Sequence, residues 1–276
     1  MGRMAPTVNS VTPLDRLRSV VREAGDALVV FSGGVDSALV LKVAVEELGD
    51  RAVALTADSP TFPPEERRDA EEFARAIGAR HMVVDAHELE REGYRANAGD
   101  RCYHCKSELF DLAELWADRL GLRWVMDGTI VDDLGDDRPG LRAAAEHRVR
   151  HPLLEAEFTK ADVRDAARQL DVPLWDKPAF ACLGSRFPVG TEVTLEWVEK
   201  ISRVESVLRI YGFRTFRVRI HKLDGGAIAR IELGEGEMQE IFREGIREAV
   251  VAAALQEGFS RVTLDLAGYR LGGGAI

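Results

Sequence analysis

The chain has 276 residues, 46% of them hydrophobic and 30% charged, with a formal net charge of −10 and a pI near 5.2. That is a globular composition with one large core or two smaller ones. The acidic balance argues against a general nucleic-acid binder, which carries a basic face. No apolar run reaches transmembrane length and no signal-type apolar segment stands near the N-terminus, so the expectation is a cytoplasmic protein that engages no membrane.

Taken in order, the first ten residues read as a loose terminus, and Leu14 to Ala24 as a leading helix. Ala27–Phe31 is an apolar strand, followed by Ser32-Gly33-Gly34-Val35-Asp36-Ser37 and a helix to Leu48. A strand running through glycines into a helix start is an anion site, because the first helical N–H groups lack partners and carry the positive dipole end. Gly33 and Gly34 let backbone approach a phosphate, Ser32 and Ser37 add hydroxyls, and Asp36 suits Mg²⁺. Val-Asp-Ser stands where a Walker A loop has Lys, and the dinucleotide spacing Gly-x-Gly-x-x-Gly is missing. The bland alternative is an ordinary Gly-rich turn capped by Ser37.

Further on, Arg51–Thr56 reads as a strand, Pro63–Ile77 as a helix between prolines and Gly78, and Arg80–Val84 as a strand. Tyr103–Leu120 is an amphipathic helix, Arg123–Met126 a strand, and Thr159–Leu170 a helix with Thr159 as cap and Asp162 three residues on. This alternation predicts an α/β fold with a parallel sheet wrapped by helices. The pattern changes near Pro188-Val189-Gly190. A helix (Glu192–Tyr211), two strands (Arg214–Ile220, Ala227–Leu233), a helix (Glu237–Gln256) and a strand (Ser260–Leu266) then form a small α+β unit. The expected domains are 1–188 and 189–276, the second for substrate binding or oligomerisation.

Ligands of open α/β sheets bind beyond the strands' carboxyl ends. Besides Ser32–Ser37, two segments lie there. Thr56-Ala57-Asp58-Ser59 is placed to border a nucleotide base. Asp127-Gly128-Thr129-Ile130-Val131-Asp132-Asp133 offers Gly128, Thr129 and Asp132 to a nucleotide, or is a solvated acidic turn.

The three cysteines are Cys102 and Cys105, in Cys-Tyr-His-Cys, and Cys182 in Ala181-Cys182-Leu183-Gly184-Ser185-Arg186. Zinc usually takes four ligands, so His104 or a distant His would have to join. Three thiolates also suit three irons of a [4Fe–4S] cluster, leaving the fourth open. Cys182 alone, near Lys177 and Arg186, suits a nucleophile or sulfur donor, and three unrelated thiols are the remaining reading. Arg217 and Arg219 project from one face of a strand and suit a phosphate or carboxylate, or else a solvated sheet face. His81, His151 and His221 show no pairing pattern, and Trp116, Trp175 and Trp197 read as packing residues.

Ser-Gly-Gly-Val-Asp-Ser resembles the PP-loop of the ATP pyrophosphatases, which cleave ATP to AMP and pyrophosphate. Further segments point to one branch of them: Arg101–Lys106, Gly128-Thr129 with Asp132–Asp136 and Arg138–Gly140, Cys182–Thr191, and Arg217-Val218-Arg219. Over most of its length the chain resembles the LarE-type ATP-dependent sulfur transferases. The resemblance implies adenylation of the carboxylates of pyridinium-3,5-biscarboxylic acid mononucleotide and their conversion to thiocarboxylates, in the making of lactate racemase's nickel-pincer nucleotide. It implies ATP, Mg²⁺ and a [4Fe–4S] cluster on Cys102, Cys105 and Cys182, since one subgroup carries all three cysteines. Another subgroup has only the cysteine matching Cys182 and sacrifices its sulfur. By the same resemblance Asp36, Cys182 and Arg186 are the catalytic set, and Ser185, Arg186, Arg217 and Arg219 hold substrate. The implied partners are a small-molecule nucleotide, a sulfide source, enzymes of the cofactor pathway and five further copies in a homohexamer, with no nucleic acid. The competing readings are a tRNA thiolase, an amide-forming enzyme such as an NAD synthetase, and a nucleotide sensor without turnover.

Overall fold

The computed structural model describes residues 11–135, 139–178 and 181–270. The ten-residue terminus, Asp136–Arg138 of the acidic run and Phe180 lie outside them. Five parallel strands form the first sheet, in the order β3-β2-β1-β4-β5, and three form the second, β6-β7-β8.

The sheet is built around β1 (Ala27–Val30), buried along its whole length. Its neighbours are β2 (Ala52–Asp58) and β4 (Val125–Met126), with Val29 opposite Ala54 on one side and Met126 on the other. Both faces are covered, so the strand reads as unbroken apolar sequence. Ala27, Val29 and Phe31 face a core shared with α1 (Pro13–Ala24), α2 (Val35–Leu48), α3 (Pro64–Ala76) and α8 (Lys160–Gln169). Leu28 and Val30 face the opposite core, with Phe110, Ala113 and Ala117 of α5 (Arg101–Leu120) and Ala143 and Ala144 of α6 (Pro139–Ala145). Helix α2 is buried on several sides and is apolar nearly all round. α1 and α8 start on the capping boxes Thr12/Asp15 and Thr159/Asp162. Outer strands β3 (Arg80–Asp85) and β5 (Val149–Arg150) complete the sheet, and short helices α4 (Glu92–Ala96) and α7 (Pro152–Glu155) follow them. The chain passes outward through β2 and β3, then returns to the other side of β1 with β4. The loops after β1 and β4 therefore leave neighbouring strand ends at the topological switch point.

In the second unit α9 (Leu195–Ile210) and α10 (Ile246–Gln256) pack together. α9 lies against β6 (Phe216–Leu223), and α10 against β8 (Arg261–Leu264). β6 pairs antiparallel with β7 (Gly226–Leu233), and β7 pairs parallel with β8. The expected αββαβ order holds, with shifted edges. The second helix starts only at Ile246, after two 3₁₀ turns, because Gly245 takes a left-handed φ of 81° that breaks the continuous run expected from Glu237. The core of this unit also holds Tyr94, Leu183 and Phe187, so side chains from before residue 188 belong to it.

Candidate active site

The loop after β1 folds back on α2 as its glycines require. Gly33 has a left-handed φ of 72°, and a Cβ there would meet the Glu66 carbonyl at 3.2 Å. The first helical bond runs from the Ala38 N–H to the Gly34 carbonyl, so the N–H groups of Val35, Asp36 and Ser37 precede the ladder. The Ser37 hydroxyl donates to the Gly34 carbonyl at 3.1 Å and accepts from the Ser32 N–H at 3.3 Å, closing the turn from within. A cation faces this loop that sequence reading missed: Lys160 Nζ donates to both oxygens of Asp36 at 2.7 Å. Its signal was a lysine in the first turn of α8, where the dipole disfavours positive charge unless a nearby anion compensates.

The loop after β4 is pressed against the same turn. A Cβ on Gly128 would stand 2.7 Å from the Ser37 backbone nitrogen and 2.9 Å from the Asp36 carbonyl carbon. Glycine is therefore required for the two loops to touch. Just before it, Asp127 is 6% exposed and accepts from Thr129 N–H (3.1 Å) and Thr129 hydroxyl (2.8 Å), while His151 Nδ1 lies 2.7 Å away. Burial pushes the Asp127 carboxyl up, but the hydrogen bond and charge of His151, with Lys106 and the Thr129 N–H, outweigh it and leave the pKa lowered. The hydrogen bond to Asp127 in turn raises the His151 pKa, against burial. His151 is thus paired with a partner 24 residues away, which no local pattern in the sequence shows.

Other expected nucleotide ligands are placed differently. The Thr56 hydroxyl is buried, donates to the Phe31 carbonyl at 2.7 Å and lies 2.8 Å from His81 Nε2. It ties β1 to β3 through β2 rather than facing a base, because Thr56 is still inside the sheet. Asp132 is exposed and accepts from the Lys160 N–H at 3.1 Å, and Asp133 accepts from the Ile130 N–H. The acidic turn thus organises the start of α8.

The cysteine elements lie beside the core of the second unit, against which Cys105 and Leu183 pack. Cys102 and Cys105 lie in the first turns of α5, Cys102 exposed and Cys105 partly buried. Cys182 heads a 3₁₀ turn, Leu183–Arg186, that is held on every side. Arg101 donates to the Gly184 carbonyl at 2.7 Å. Asn97 Nδ2 donates to the Pro188 and Thr191 carbonyls at 2.8 and 3.1 Å, and the Leu183 N–H donates to the Thr61 carbonyl at 2.8 Å. Burial first, and then the neighbouring Cys182 sulfur, push the Cys105 thiol far above its ordinary pKa, with a smaller contribution from Cys102.

Arg186 does not face a reacting centre, as the resemblance implied. Its side chain is fully buried, and Nε and Nη2 grip the two Glu205 oxygens at 2.8 and 3.0 Å. Nη1 donates to the carbonyls of Ala181 (2.7 Å) and Cys182 (3.2 Å), so Arg186 is a positioning residue for the cysteine loop. Glu205, buried in mid-helix, left no signal in the sequence.

Arg217 and Arg219 share one face of β6, as the period-2 reading requires, but that face is buried. Arg219 pairs with Glu232 at 2.5 Å and donates to the Ser185 carbonyl at 2.8 Å, while Ser185 Oγ accepts from Arg186 at 3.0 Å. Arg217 lies 4.4 Å over the Tyr269 ring and donates to its hydroxyl at 2.9 Å. Arg217 Nε and Arg219 Nη2 are buried and have no hydrogen-bond partner within the chain. Trp197 packs against the second core under Lys200, at 4.5 Å, whereas Trp175 is exposed beneath Arg168, at 4.2 Å.

By donor chemistry alone, three thiols are the ligand type of an iron–sulfur cluster. Among the described residues, no three His, Cys, Asp or Glu side chains are gathered closely enough to hold a metal ion, and no helix is long and apolar enough to cross a membrane.

Comparison with known proteins fits this geometry. A family model described as NAD synthase matches residues 10–108, which span the PP-loop and the cysteine pair. The chain is 44% identical over 259 residues to an uncharacterized protein of Synechocystis sp., covering 94% of this chain and 95% of that one. It is 27% identical over 215 residues to the glutamine-hydrolyzing GMP synthase of Aeropyrum pernix, covering 70% of this chain and 41% of the synthase. Over 259 residues it is 36% identical to the pyridinium-3,5-bisthiocarboxylic acid mononucleotide synthase of Lactiplantibacillus plantarum, covering 93% and 91% of the two chains. With an α/β fold, a PP-loop at the switch point and this identity along nearly its whole length, the chain belongs to the LarE-type family of PP-loop proteins that includes the Lactiplantibacillus enzyme.

Proposed function

We propose that the protein is an ATP-dependent sulfur transferase that adenylates the carboxylates of pyridinium-3,5-biscarboxylic acid mononucleotide and converts them to thiocarboxylates. The observation that carries this reading is the pairing of a preformed phosphate site with a clamped cysteine turn, in a chain of this family. The N–H groups in the first turn of α2 would receive the ATP phosphates, Asp36 would hold Mg²⁺, and Lys160, paired with Asp36 here, would stand near the phosphate chain as a cation. The substrate carboxylate attacks the α-phosphorus, and the bond to pyrophosphate breaks. The acyl-adenylate then carries AMP as a leaving group in place of oxide. Sulfide from an external source attacks the carbonyl carbon, the C–S bond forms and AMP departs. The unpartnered N–H groups of Arg217 and Arg219 receive the substrate's phosphate or second carboxylate.

In this reading Cys102, Cys105 and Cys182 hold a [4Fe–4S] cluster, which when bound supplies an open iron able to carry sulfide. The test is anaerobic purification with iron, acid-labile sulfide and AMP measured together. About four irons per chain, lost on replacing any one of the three cysteines, supports it. Cys102→Ser should keep AMP formation and lose sulfur transfer. Absence of iron after reconstitution sinks the cluster. A second reading, favoured by the partial exposure of Cys182 at the head of its turn, makes that residue a single-turnover donor. Its signature is loss of one H₂S from the chain's mass, leaving dehydroalanine.

A further inference from the structure

Tyr94 is a side chain at the cysteine site that the scheme above does not use. It is fully buried in the core of the second unit, although it belongs to α4 of the first, and Cys105 packs against the same core. Its hydroxyl lies directly under the cysteine turn, where a Cβ on Gly184 would stand 2.4 Å from it. That hydroxyl belongs to a chain of polar groups running back into the nucleotide unit. Tyr94 donates to Thr61 Oγ1 at 3.3 Å, and Thr61 donates to Glu88 Oε1 at 2.6 Å, with Glu88 only 3% exposed.

The directions of these bonds matter. Glu88 takes the Thr61 proton, so Thr61 presents a lone pair to Tyr94. The Tyr94 proton is then committed to Thr61, and the tyrosine oxygen is left as an acceptor toward the turn above it. Thr61 also accepts the Leu183 N–H on its backbone carbonyl at 2.8 Å, so one residue both aims the tyrosine and fixes the position next to Cys182. Tyr94 responds to the same neighbours: burial, then the charges of Cys182 and Cys105, raise its pKa.

We propose that Tyr94, aimed by Thr61 and Glu88, is a positioning residue for sulfur transfer. Its hydroxyl packs beneath Gly184 and so supports the turn that carries Cys182. The inference rests on the sulfur-transferase reading and deepens it. It requires that Tyr94 matter to the sulfur step and not to adenylation, because the PP-loop lies on another element.

The experiment compares Tyr94→Phe, Thr61→Val and the parent full-length chain, with two independent readouts. The first is the split between AMP release and thiocarboxylate formation. Tyr94→Phe keeps the ring and should hold AMP release and the KM for ATP within about twofold, while sulfur transfer falls about tenfold, the scale of one buried hydrogen bond. Thr61→Val keeps the tyrosine hydroxyl but removes its acceptor, and should lower transfer in the same direction. The second readout needs no turnover: iodoacetamide labelling of each cysteine, resolved by mass spectrometry in the cluster-free chain. A turn released from its support should expose Cys105 and speed its labelling severalfold. Parental transfer in Tyr94→Phe, or equal loss of AMP release and transfer, overturns the inference. So does unchanged Cys105 labelling. If the parent makes no thiocarboxylate at all, the functional reading fails instead, and labelling alone decides the role of Tyr94.

Discussion

Replacing Gly128 by alanine should damage nucleotide handling although Gly128 lies outside the PP-loop. The added Cβ would stand 2.7 Å from Ser37 N, 2.9 Å from the Asp36 carbonyl carbon and 3.1 Å from Asp36 Cβ. Ordinary contact begins near 3.4 Å, so the worst overlap is about 0.7 Å, and two of the three atoms met are backbone of the first turn of α2. Neither loop can yield by a side-chain rotation. Overpacking of this kind costs about 1–3 kcal/mol, or roughly 2–10 °C in Tm for a chain of this size. A shift of this order at the phosphate site costs up to about 100-fold in turnover. Gly34→Ala is the informative comparison, because a Cβ there meets only Ser32 Oγ, at 3.6 Å, with no positive φ to strain. Gly34→Ala should therefore keep the parental Tm and, in the phosphate-binding role proposed for this loop, lose AMP formation through the KM for ATP, since its methyl group would stand within the loop beside Ser32 Oγ. Gly128→Ala should lose both. Differential scanning calorimetry and a coupled pyrophosphate assay read the two effects. A Gly128→Ala chain with parental Tm and parental KM for ATP refutes the loop–loop contact.

Asp36→Ala should abolish substrate-dependent AMP formation, and Lys160→Ala should raise the KM for ATP while the fold persists, as read by AMP release and circular dichroism. Arg186→Met leaves Glu205 buried without its partner and should cost about 3–5 kcal/mol in urea unfolding. The double variant with Glu205→Leu should recover much of that loss, and an additive cycle would contradict the pairing. The His151–Asp127 pair adds a pH dependence. The raised His151 pKa contributes stability that is complete below the unfolded value near 6.5 and lost as pH rises through the folded value. The lowered Asp127 pKa contributes above about 3.8 and is lost as pH falls through its folded value. The stability gap between parent and His151→Gln should therefore be widest in mildly acidic buffer and shrink above neutral pH. Cys105, its thiol pushed up by burial, should label with iodoacetamide after the exposed Cys102 at pH 8.

Elements set by local chemistry were legible in the sequence. The Thr159/Asp162 capping box, the strand–glycine–helix passage at Ser32–Ser37 and the shared face of Arg217 and Arg219 are all written within a few neighbouring residues. The orientation of charged groups toward distant partners was not. Arg186 looked like a loop cation ready for substrate, and only the fold brings Glu205 to it from 19 residues away. Lys160 meets Asp36 across 124 residues, and Thr56 was read as a strand end although β2 continues to Asp58. The helix expected from Glu237 failed for a local reason that was visible, Gly245, whose left-handed conformation outweighed the helical spacing around it.

The second hydrophobic core draws on Tyr94, Leu183 and Phe187, and the turn bearing Cys182 hangs between Thr61, Asn97 and Arg101 on one side and Glu205 and Arg219 on the other. The chain therefore has no clean seam at the point where its composition changes. Severing it near Gly190 would strip one fragment of its core aromatics and leave the other with a cysteine turn missing half its supports. The cysteine site is in this sense a property of the docked pair rather than of either unit. Its assembly reports that the nucleotide unit and the small unit have both folded and met.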